Sequence, residues 1–187
     1  MLRIAFSAKA GSGKSEAVKT ASEMLGIGNS VIVKFADPLY DLMHLVQDYM
    51  GMDRHKDGKF LQLIGTDWGR DKDPQIWTNK FKEKVDQIGF QQIILCDDVR
   101  MENELELVKE LGFFTIRINR PEELRSQYLV GRNTSHKSEI ELDDKESLFD
   151  FVIENNSDSV KIFKNQVRLA IMTALSKRQV GIYADTL

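Results

Sequence analysis

Residues 8–15 read Ala8-Lys9-Ala10-Gly11-Ser12-Gly13-Lys14-Ser15 and are the most informative stretch of the chain. The apolar residues 2–7 before them predict a short buried strand, and residues 14–25 have the pattern of a helix. A glycine-rich turn between a strand and a helix is typical of a loop that binds phosphate. Its backbone N–H groups can point into one concavity, and the helix N-terminus adds a partial positive charge.

This phosphate loop predicts a site for ATP and Mg²⁺. Lys14 can reach the β- and γ-phosphates, and the hydroxyl of Ser15 can ligate Mg²⁺. The residues expected to bind ATP are Ala10, Gly11, Ser12, Gly13, Lys14 and Ser15. One position departs from the usual pattern, because Ala8 stands where a glycine is expected. If the backbone there needs a positive φ, alanine costs on the order of 1 kcal/mol.

Strand-like and helix-like segments alternate along the chain. Strands are predicted at residues 2–7, 30–35, 92–96, 114–118 and 149–153, and helices at residues 14–25, 39–50, 60–69, 75–88, 102–111, 121–129 and 160–174. This alternation favours a parallel sheet with helices on both faces. We therefore predict an α/β fold, namely a three-layer α/β/α P-loop NTPase with a five-stranded parallel sheet, whose strand ends line one site.

The bulk properties exclude several classes of protein. The 187 residues suit one domain, and a formal net charge of −3 argues against a dedicated nucleic-acid binder, which usually has a basic face. No apolar run reaches the length of a membrane span, and residues 1–6 are too short for a signal peptide. The single cysteine, Cys96, lies in an apolar run and fits the core of a protein from a reducing cytosol. We expect a cytoplasmic protein with small-molecule partners.

A second polar group follows the third predicted strand. The apolar residues 93–96 lead into Asp97 and Asp98, and Arg100 comes two residues later. In P-loop enzymes an acid here holds the Mg²⁺ shell or orients the attacking group, and a planar guanidinium suits phosphate. We expect Asp97 or Asp98 to bind Mg²⁺, with Asp98 and Arg100 in catalysis and Arg100 also on the acceptor. The alternatives are an aspartate that only caps the next helix and a solvated arginine.

Five segments, taken together, resemble one known family. They are the phosphate loop, Phe35-Ala36-Asp37-Pro38-Leu39, the block Leu61-Gln62 and Ile64-Gly65-Thr66 with Arg70, Pro74 and Trp77, the segment Asp98-Val99-Arg100-Met101-Glu102-Asn103-Glu104, and the ending Ser135-His136, Ser138-Glu139, Asp150-Phe151, Ile153 and Asn155. Their order over nearly the whole chain is similar to that of the deoxynucleoside monophosphate kinases of the bacteriophage type. Beyond the phosphate loop no single segment is specific, but the five in order are.

The resemblance implies one P-loop kinase domain over residues 1–187. It implies an acceptor-binding helical region at about residues 38–90, a small helical lid at about residues 120–142, ATP and Mg²⁺, and a deoxynucleoside monophosphate (dNMP) as acceptor. Two residues depart from the family pattern, namely Ala8 and the additional Asp97. They leave open the fine geometry of the loop and which carboxylate binds the metal. The sequence leaves open the base preference, a ribose or deoxyribose preference, a phage or host origin and a homodimer.

Four residues in the acceptor-binding region are expected to contact the acceptor. Asp37 precedes Pro38, which should keep it out of helical geometry, although it can also cap the next helix. As a catalytic residue it is expected to contact the acceptor near its phosphate or sugar, or the water shell of the metal. Arg70 is expected to clamp the acceptor's monophosphate through paired hydrogen bonds. Gln62 is expected at the base edge, and Trp77 either stacks on the base or packs in the core.

The lid region contributes three arginines. Arg120 is expected to bind ATP, while Arg125 and Arg132 are expected to stabilise charge on the transferred phosphoryl group. The alternative for each is a place on a charged surface helix. His136 and Glu139 are expected to lock the closed lid.

Other nucleotide-binding proteins share parts of this pattern. Another P-loop small-molecule kinase, such as dephospho-coenzyme A kinase, has the same loop and an aspartate after the second strand. A nucleotide-dependent regulatory protein of the GTPase type needs an Asn-Lys-x-Asp segment, which residues 117–120 do not match. A nucleic-acid-acting ATPase is disfavoured by the negative net charge.

Overall fold

Five strands form one parallel sheet in the computed structural model, which describes residues 1–89, 92–128 and 137–184, without the side chains of 137, 138 and 179–184. The strands are β1 (Arg3–Ala8), β2 (Ser30–Ile32), β3 (Ile93–Val99), β4 (Phe114–Asn119) and β5 (Phe151–Glu154). Every neighbouring pair is parallel, and the order is β2-β3-β1-β4-β5. The predicted α/β fold with a five-stranded parallel sheet is therefore confirmed.

Helical segments connect the strands. They are α1 (Lys14–Leu25), α2 (Asp37–Tyr49), α3 (Gly58–Gln62), a π-helix (Leu63–Trp68), α4 (Gly69–Lys72), α5 (Ile76–Asp86), α6 (Glu102–Glu110), α7 (Glu122–Arg125), a 3₁₀ turn (Ser126–Tyr128), α8 (Lys137–Ile140), a second 3₁₀ turn (Glu146–Leu148) and α9 (Val160–Ala184). None of the described helices is long and apolar enough to cross a membrane.

The chain divides into two compact units, Met1–Ile32 with Gly89–Leu187, and Val33–Ile88. The first unit contains the sheet, and its core joins β1, β4 and β5 to α1 and α9. Ile4, Phe6 and Ile116 from the sheet and Ile171 from α9 are fully buried there. Each such side chain contributes about 1.5–3 kcal/mol when it leaves water, so this core holds the phosphate loop on a rigid base.

Two strands differ in length from their prediction. β3 was expected to end at Cys96 but continues to Val99, because the end of β1 pairs with it through Ser7 and Val99. β2 was expected to reach Phe35 but ends at Ile32, where its pairing with β3 stops. Residues 129–136 of the predicted lid lie outside the described residues.

The second unit is helical and has its own small core. The rings of Phe35 and Phe81 stack with their centroids 4.0 Å apart, and Phe81 and Met43 are buried. A single helix was predicted for residues 60–69, but the segment contains the π-helix between α3 and α4. π-Helical turns are rare in proteins as a whole, and those that do occur are often found at functional sites.

Glycines explain the packing of this π-helix. A Cβ atom on Gly69 would lie 2.4 Å from the Ile64 carbonyl oxygen and 2.9 Å from the Trp77 ring, so only glycine fits. The Trp77 indole Nε1–H donates a 2.7 Å hydrogen bond to the carbonyl oxygen of Gly65. Trp77 thus fastens α5 to the π-helix.

Candidate functional site

The phosphate loop leaves β1 at Ala8 and enters α1 at Lys14. Gly11 has φ of 78° and Gly13 has φ of 102°, a left-handed conformation that other residues rarely adopt. Ala8 is the last residue of β1, and within the described residues only glycines have a positive φ. The Ala8 position therefore needs no glycine, and the strain considered for it does not arise.

Lys14 lies folded back on the loop. Its Nζ atom donates a 2.7 Å hydrogen bond to the carbonyl oxygen of Ala8. Burial and, next, the charge of Arg100 lower the pKa of Lys14 to about 8, although Glu139, Asp98 and Asp97 act in the opposite direction. A buried ammonium group of lowered pKa favours an anion beside it.

The Glu139 carboxylate meets the phosphate loop and the β3–α6 turn. Its Oε2 accepts a 2.9 Å hydrogen bond from the backbone N–H of Ala10, and its Oε1 pairs with Nη1 of Arg100. The backbone N–H of Arg100 in turn donates to Oε2 of the buried Glu104, at 2.8 Å. The predicted neighbours Arg100 and Lys14 therefore share one charged cluster, and Glu139 joins it.

The two aspartates lie inside β3 rather than after its end, which corrects the sequence expectation. The register of β1 against β3 shifts at this point, because Ala5 pairs with Cys96 but Ser7 pairs with Val99, so Asp97 and Asp98 together lie opposite the single residue Phe6, as in a β-bulge. Asp98 shares its face with Cys96, whose Sγ–H donates to Asp98 Oδ1 at 3.4 Å. Both carboxylates act on the pKa of Lys14, with Asp98 the stronger. Their roles at a metal remain predictions, and among the described residues no three His, Cys, Asp or Glu side chains form a metal-type cluster.

A polar cavity of about 360 Å³ lies on the β4 side of the loop. Its lining includes Lys9, Ser12, Asn119, Arg120, Arg125 and Asn156. The hydroxyl of Ser12 is buried and has no hydrogen-bond partner within the described part of the chain. Ser12 thus brings a buried, unpaired hydroxyl of the loop close to the wall of this cavity.

Two of the three predicted arginines border this cavity. Arg125 is buried, and it donates to the carbonyl oxygens of Ala10 at 3.2 Å and of Arg120 at 3.0 Å. Arg120 pairs with Asp158 at 2.7 Å and lies over the Tyr128 ring. Arg125 therefore braces the loop backbone, and Arg132 and His136 lie outside the described residues.

The remaining predicted residues lie in the second unit. Asp37 begins α2, contrary to the expected non-helical conformation, because Pro38 is tolerated in the first turn of a helix. Its carboxylate pairs with Lys84 Nζ at 2.7 Å. Gln62 is exposed and Arg70 is half-buried, on either side of the π-helix. Trp77 is buried, which favours packing over stacking on a base.

Three comparisons with known proteins bear on this site. No protein-family model matches the chain. A protein of Acanthamoeba polyphaga mimivirus, whose name marks it as a proposed deoxynucleotide monophosphate kinase, is 28% identical over 194 residues, which cover 89% of this chain and 94% of the relative. This similarity confirms the resemblance that the sequence motifs indicated.

Solved structures match the fold at low sequence identity. A gluconokinase from Sinorhizobium meliloti 1021 has a TM-score of 0.56 at 12% identity, and the match covers 100% of this chain and 98% of the other. A shikimate kinase from Bacteroides thetaiotaomicron has a TM-score of 0.56 at 11% identity, with 92% and 98% covered. The chain has the fold of the P-loop kinases. In this kinase fold the glycine-rich loop occupies the position in which the structure places residues 8–15, between β1 and α1.

Sequence reasoning missed a second charged cluster of this P-loop kinase fold. Arg117 on β4 is buried; it donates to the Ser7 hydroxyl at 3.0 Å and pairs with Asp143 at 3.4 Å. Asp143 also pairs with Lys9 of the phosphate loop. Asn155 donates to the carbonyl oxygen of Ser12 at 3.1 Å. Among these, only Asn155 gave a signal in the sequence, through its place in the resemblance.

Proposed function

We propose that the protein is a kinase that transfers the γ-phosphoryl group of ATP to a (deoxy)nucleoside monophosphate. The observation that carries the proposal is the phosphate loop, in which Gly11 and Gly13 have positive φ and Lys14 opens α1. The similarity to the mimivirus relative supports a monophosphate acceptor. In the reaction the bond from the γ-phosphorus to the ADP oxygen breaks, and a new bond to the acceptor's phosphate oxygen forms.

Phosphate binding is the main task of the residues around the loop. The N–H groups of residues 10–15 and the N-terminus of the 12-residue helix α1 are proposed to attract the phosphate oxygens. Lys14 and Arg100 supply positive charge, and a planar guanidinium can pair with two phosphate oxygens at once. Phosphoryl transfer depends mostly on such positioning and charge stabilisation, so it needs little acid–base chemistry.

Mg²⁺ fits the donor set that the chain offers. Ser15 at the start of α1 and one of Asp97 and Asp98 on β3 would hold it, and oxygen donors are the ligands that Mg²⁺ prefers. When bound, the ion would neutralise negative charge on the phosphates.

The cavity on the β4 side supports a place for the nucleoside of ATP. Its volume of about 360 Å³ and its lining by Arg120 and Asn156 suit a base with polar edges. Arg125 contributes by fixing the carbonyl oxygens of Ala10 and Arg120 rather than by touching the ligand. The cavity and the loop share Ser12 and Lys9, so one nucleotide can use both.

Acceptor binding is proposed for the second unit. Arg70 and Gln62 flank the π-helix, and a half-buried arginine is suited to a monophosphate while an exposed amide is suited to a base edge. Asp37 would need to exchange its ion pair with Lys84 for a ligand contact. Arg132 is proposed for the transferred phosphoryl group from the resemblance alone.

Product analysis tests the proposal. The protein is incubated with ATP·Mg²⁺ and, in turn, dAMP, dGMP, dCMP, dTMP, the four ribonucleoside monophosphates and dephospho-coenzyme A, and the products are separated by anion exchange. We expect a nucleoside diphosphate from at least one dNMP. A product from dephospho-coenzyme A alone would assign the chain to another small-molecule kinase. ATP binding without any product would favour a regulatory nucleotide-binding protein.

A further inference from the structure

Glu139 occupies two groups that a phosphate would use. Its side chain, 11% exposed, accepts the N–H of Ala10 with one oxygen and pairs with Arg100 through the other. Ala10 belongs to the phosphate loop, and Arg100 follows β3 directly. One carboxylate therefore joins the loop to an arginine, as the oxygens of a phosphate group would.

These contacts exclude a phosphate at the same place. A backbone N–H makes one strong hydrogen bond, so Ala10 cannot serve the carboxylate and a phosphate oxygen together. Two anions in contact also repel each other, and the repulsion grows in a partly buried site. A nucleotide phosphate can therefore accept the Ala10 N–H only after Glu139 has withdrawn, and only then does it pair with Arg100 without a competing carboxylate.

The charge of Glu139 is maintained although its carboxylate is buried. Burial acts to raise its pKa, but the N–H of Ala10 and the charges of Arg100 and Lys14 outweigh burial and lower the pKa. At neutral pH the carboxylate is therefore an anion. Lys14 is folded back on Ala8 in the same structure. The carboxylate of Glu139 is close enough to act on Lys14, so it compensates part of the positive charge at the loop.

We propose that Glu139 is an internal competitor for phosphate, which holds the loop in a resting state and is exchanged for the phosphates of the nucleotide. The proposal rests on the proposed function only in taking a nucleotide as the ligand. In the exchange, Arg100 and the Ala10 N–H pass from Glu139 to phosphate oxygens, and α8 loses its tie to the loop. Nucleotide binding is thereby coupled to release of the segment that carries Glu139.

The neighbouring acids provide a matched control. Glu141 accepts the N–H of Glu102 at 2.9 Å, and Asp143 pairs with Lys9 and Arg117. The segment around α8 is thus held by several contacts. Among the contacts of these three acids, only those of Glu139 involve the Ala10 N–H and Arg100. A Glu141→Gln variant changes the charge by the same amount without changing those contacts.

Calorimetric titration with ATP and with pyrophosphate, each with EDTA, tests the competition in wild type, Glu139→Gln and Glu141→Gln. A contact populated in about nine of ten molecules weakens apparent affinity about tenfold, so Glu139→Gln should bind both ligands about tenfold more tightly. Glu141→Gln should stay within about twofold of wild type, because its long-range charge is screened. Equal or weaker binding by Glu139→Gln overturns the proposal, as does failure of either ligand to bind any of these proteins.

A second measurement uses only the wild-type protein, so it does not depend on whether the Glu139→Gln variant folds. Amide hydrogen exchange of residues 137–143 is followed with and without pyrophosphate. One reporter is the Asp143 N–H, which donates a 3.0 Å hydrogen bond to the carbonyl oxygen of Ile140. We expect faster exchange when pyrophosphate is bound. Unchanged or slower exchange contradicts the exchange mechanism. Both tests measure ligand binding and not turnover. A negative result therefore contradicts the role of Glu139, whereas absence of kinase turnover would contradict the proposed function alone.

Discussion

Lys14 donates through Nζ to the carbonyl oxygen of Ala8, 2.7 Å away, and so folds back onto its own loop rather than extending into solvent. Burial, followed by the charge of Arg100, lowers the pKa of Lys14 to about 8. The group that we propose as the main cation for the β- and γ-phosphates is therefore close to its titration point in mildly alkaline solution.

The pH dependence of ATP binding should report this titration. In the ligand-free protein Lys14 loses its charge as the pH rises through about 8, and only the charged form attracts phosphate strongly. Affinity for ATP, measured by calorimetry with EDTA, should therefore be about tenfold weaker at pH 9 than at pH 7. The matched control is Lys14→Arg, which does not titrate in this range and should show a flat profile. Parallel profiles for the two proteins would show that another group titrates.

Gly13 should be more sensitive to substitution than Gly28, a glycine with a similar positive φ. Gly13→Ala forces a left-handed alanine and brings its Cβ within 3.1 Å of the Phe163 ring. Gly28 has φ of 94°, and a Cβ added there would have no heavy atom within 4 Å, so Gly28→Ala measures the backbone strain alone. That strain is about 1–2 kcal/mol. Urea unfolding should show a larger loss for Gly13→Ala, and equal losses would mean that Phe163 yields freely.

Trp77 should act through packing. Trp77→Phe removes the indole donor from the Gly65 carbonyl oxygen and should lower the free energy of unfolding by about 1–3 kcal/mol. Trp68 is 54% exposed, so Trp68→Phe should change it by at most about 0.5 kcal/mol. The KM for the acceptor should be little affected by Trp77→Phe. An unchanged stability with a raised acceptor KM would instead indicate stacking on the acceptor base.

Arg125 should support the loop rather than the transferred phosphoryl group. Arg125→Met removes the donors to Ala10 and Arg120, and charged donors of this kind contribute about 1.5–3 kcal/mol each. We expect lower stability together with weaker ATP binding, measured by urea unfolding and calorimetry. Arg168→Met, on the exposed face of α9, should change neither. A fall in kcat at unchanged stability would instead place Arg125 at the transition state.

Local patterns were sufficient to predict the sheet and the phosphate loop. Residues 14–25 were predicted as a helix and form α1, and five apolar runs were predicted as strands and form the five strands. Both results follow from periodicity and from glycine positions, which are properties of adjacent residues. Asp97 and Asp98 were placed beyond their strand because polar residues in a strand interior leave no local signal of pairing.

Long-range contacts account for what the sequence did not reveal. The expectation that Glu139 locks a lid stays a prediction. Its contact with Ala10, 129 residues away in sequence, depends on the tertiary fold that brings α8 to the loop. Arg117 on β4 donates to Ser7 on the adjacent strand β1, and this pairing joins residues far apart in sequence. The π-helix depends on the fit between Gly69 and Trp77, which helical periodicity does not encode.

The most direct test of the kinase proposal is ADP release in a coupled assay with ATP·Mg²⁺ and the four dNMPs, for wild type, Lys14→Ala and Lys19→Ala. Lys19 is exposed on the same helix and gives a matched control. We expect dNMP-dependent release by wild type and Lys19→Ala and a loss of about 100-fold or more in Lys14→Ala, the scale seen when a positioned charge is removed from a transition state. Equal release by Lys14→Ala and wild type, or no dNMP-dependent release at all, would contradict the account.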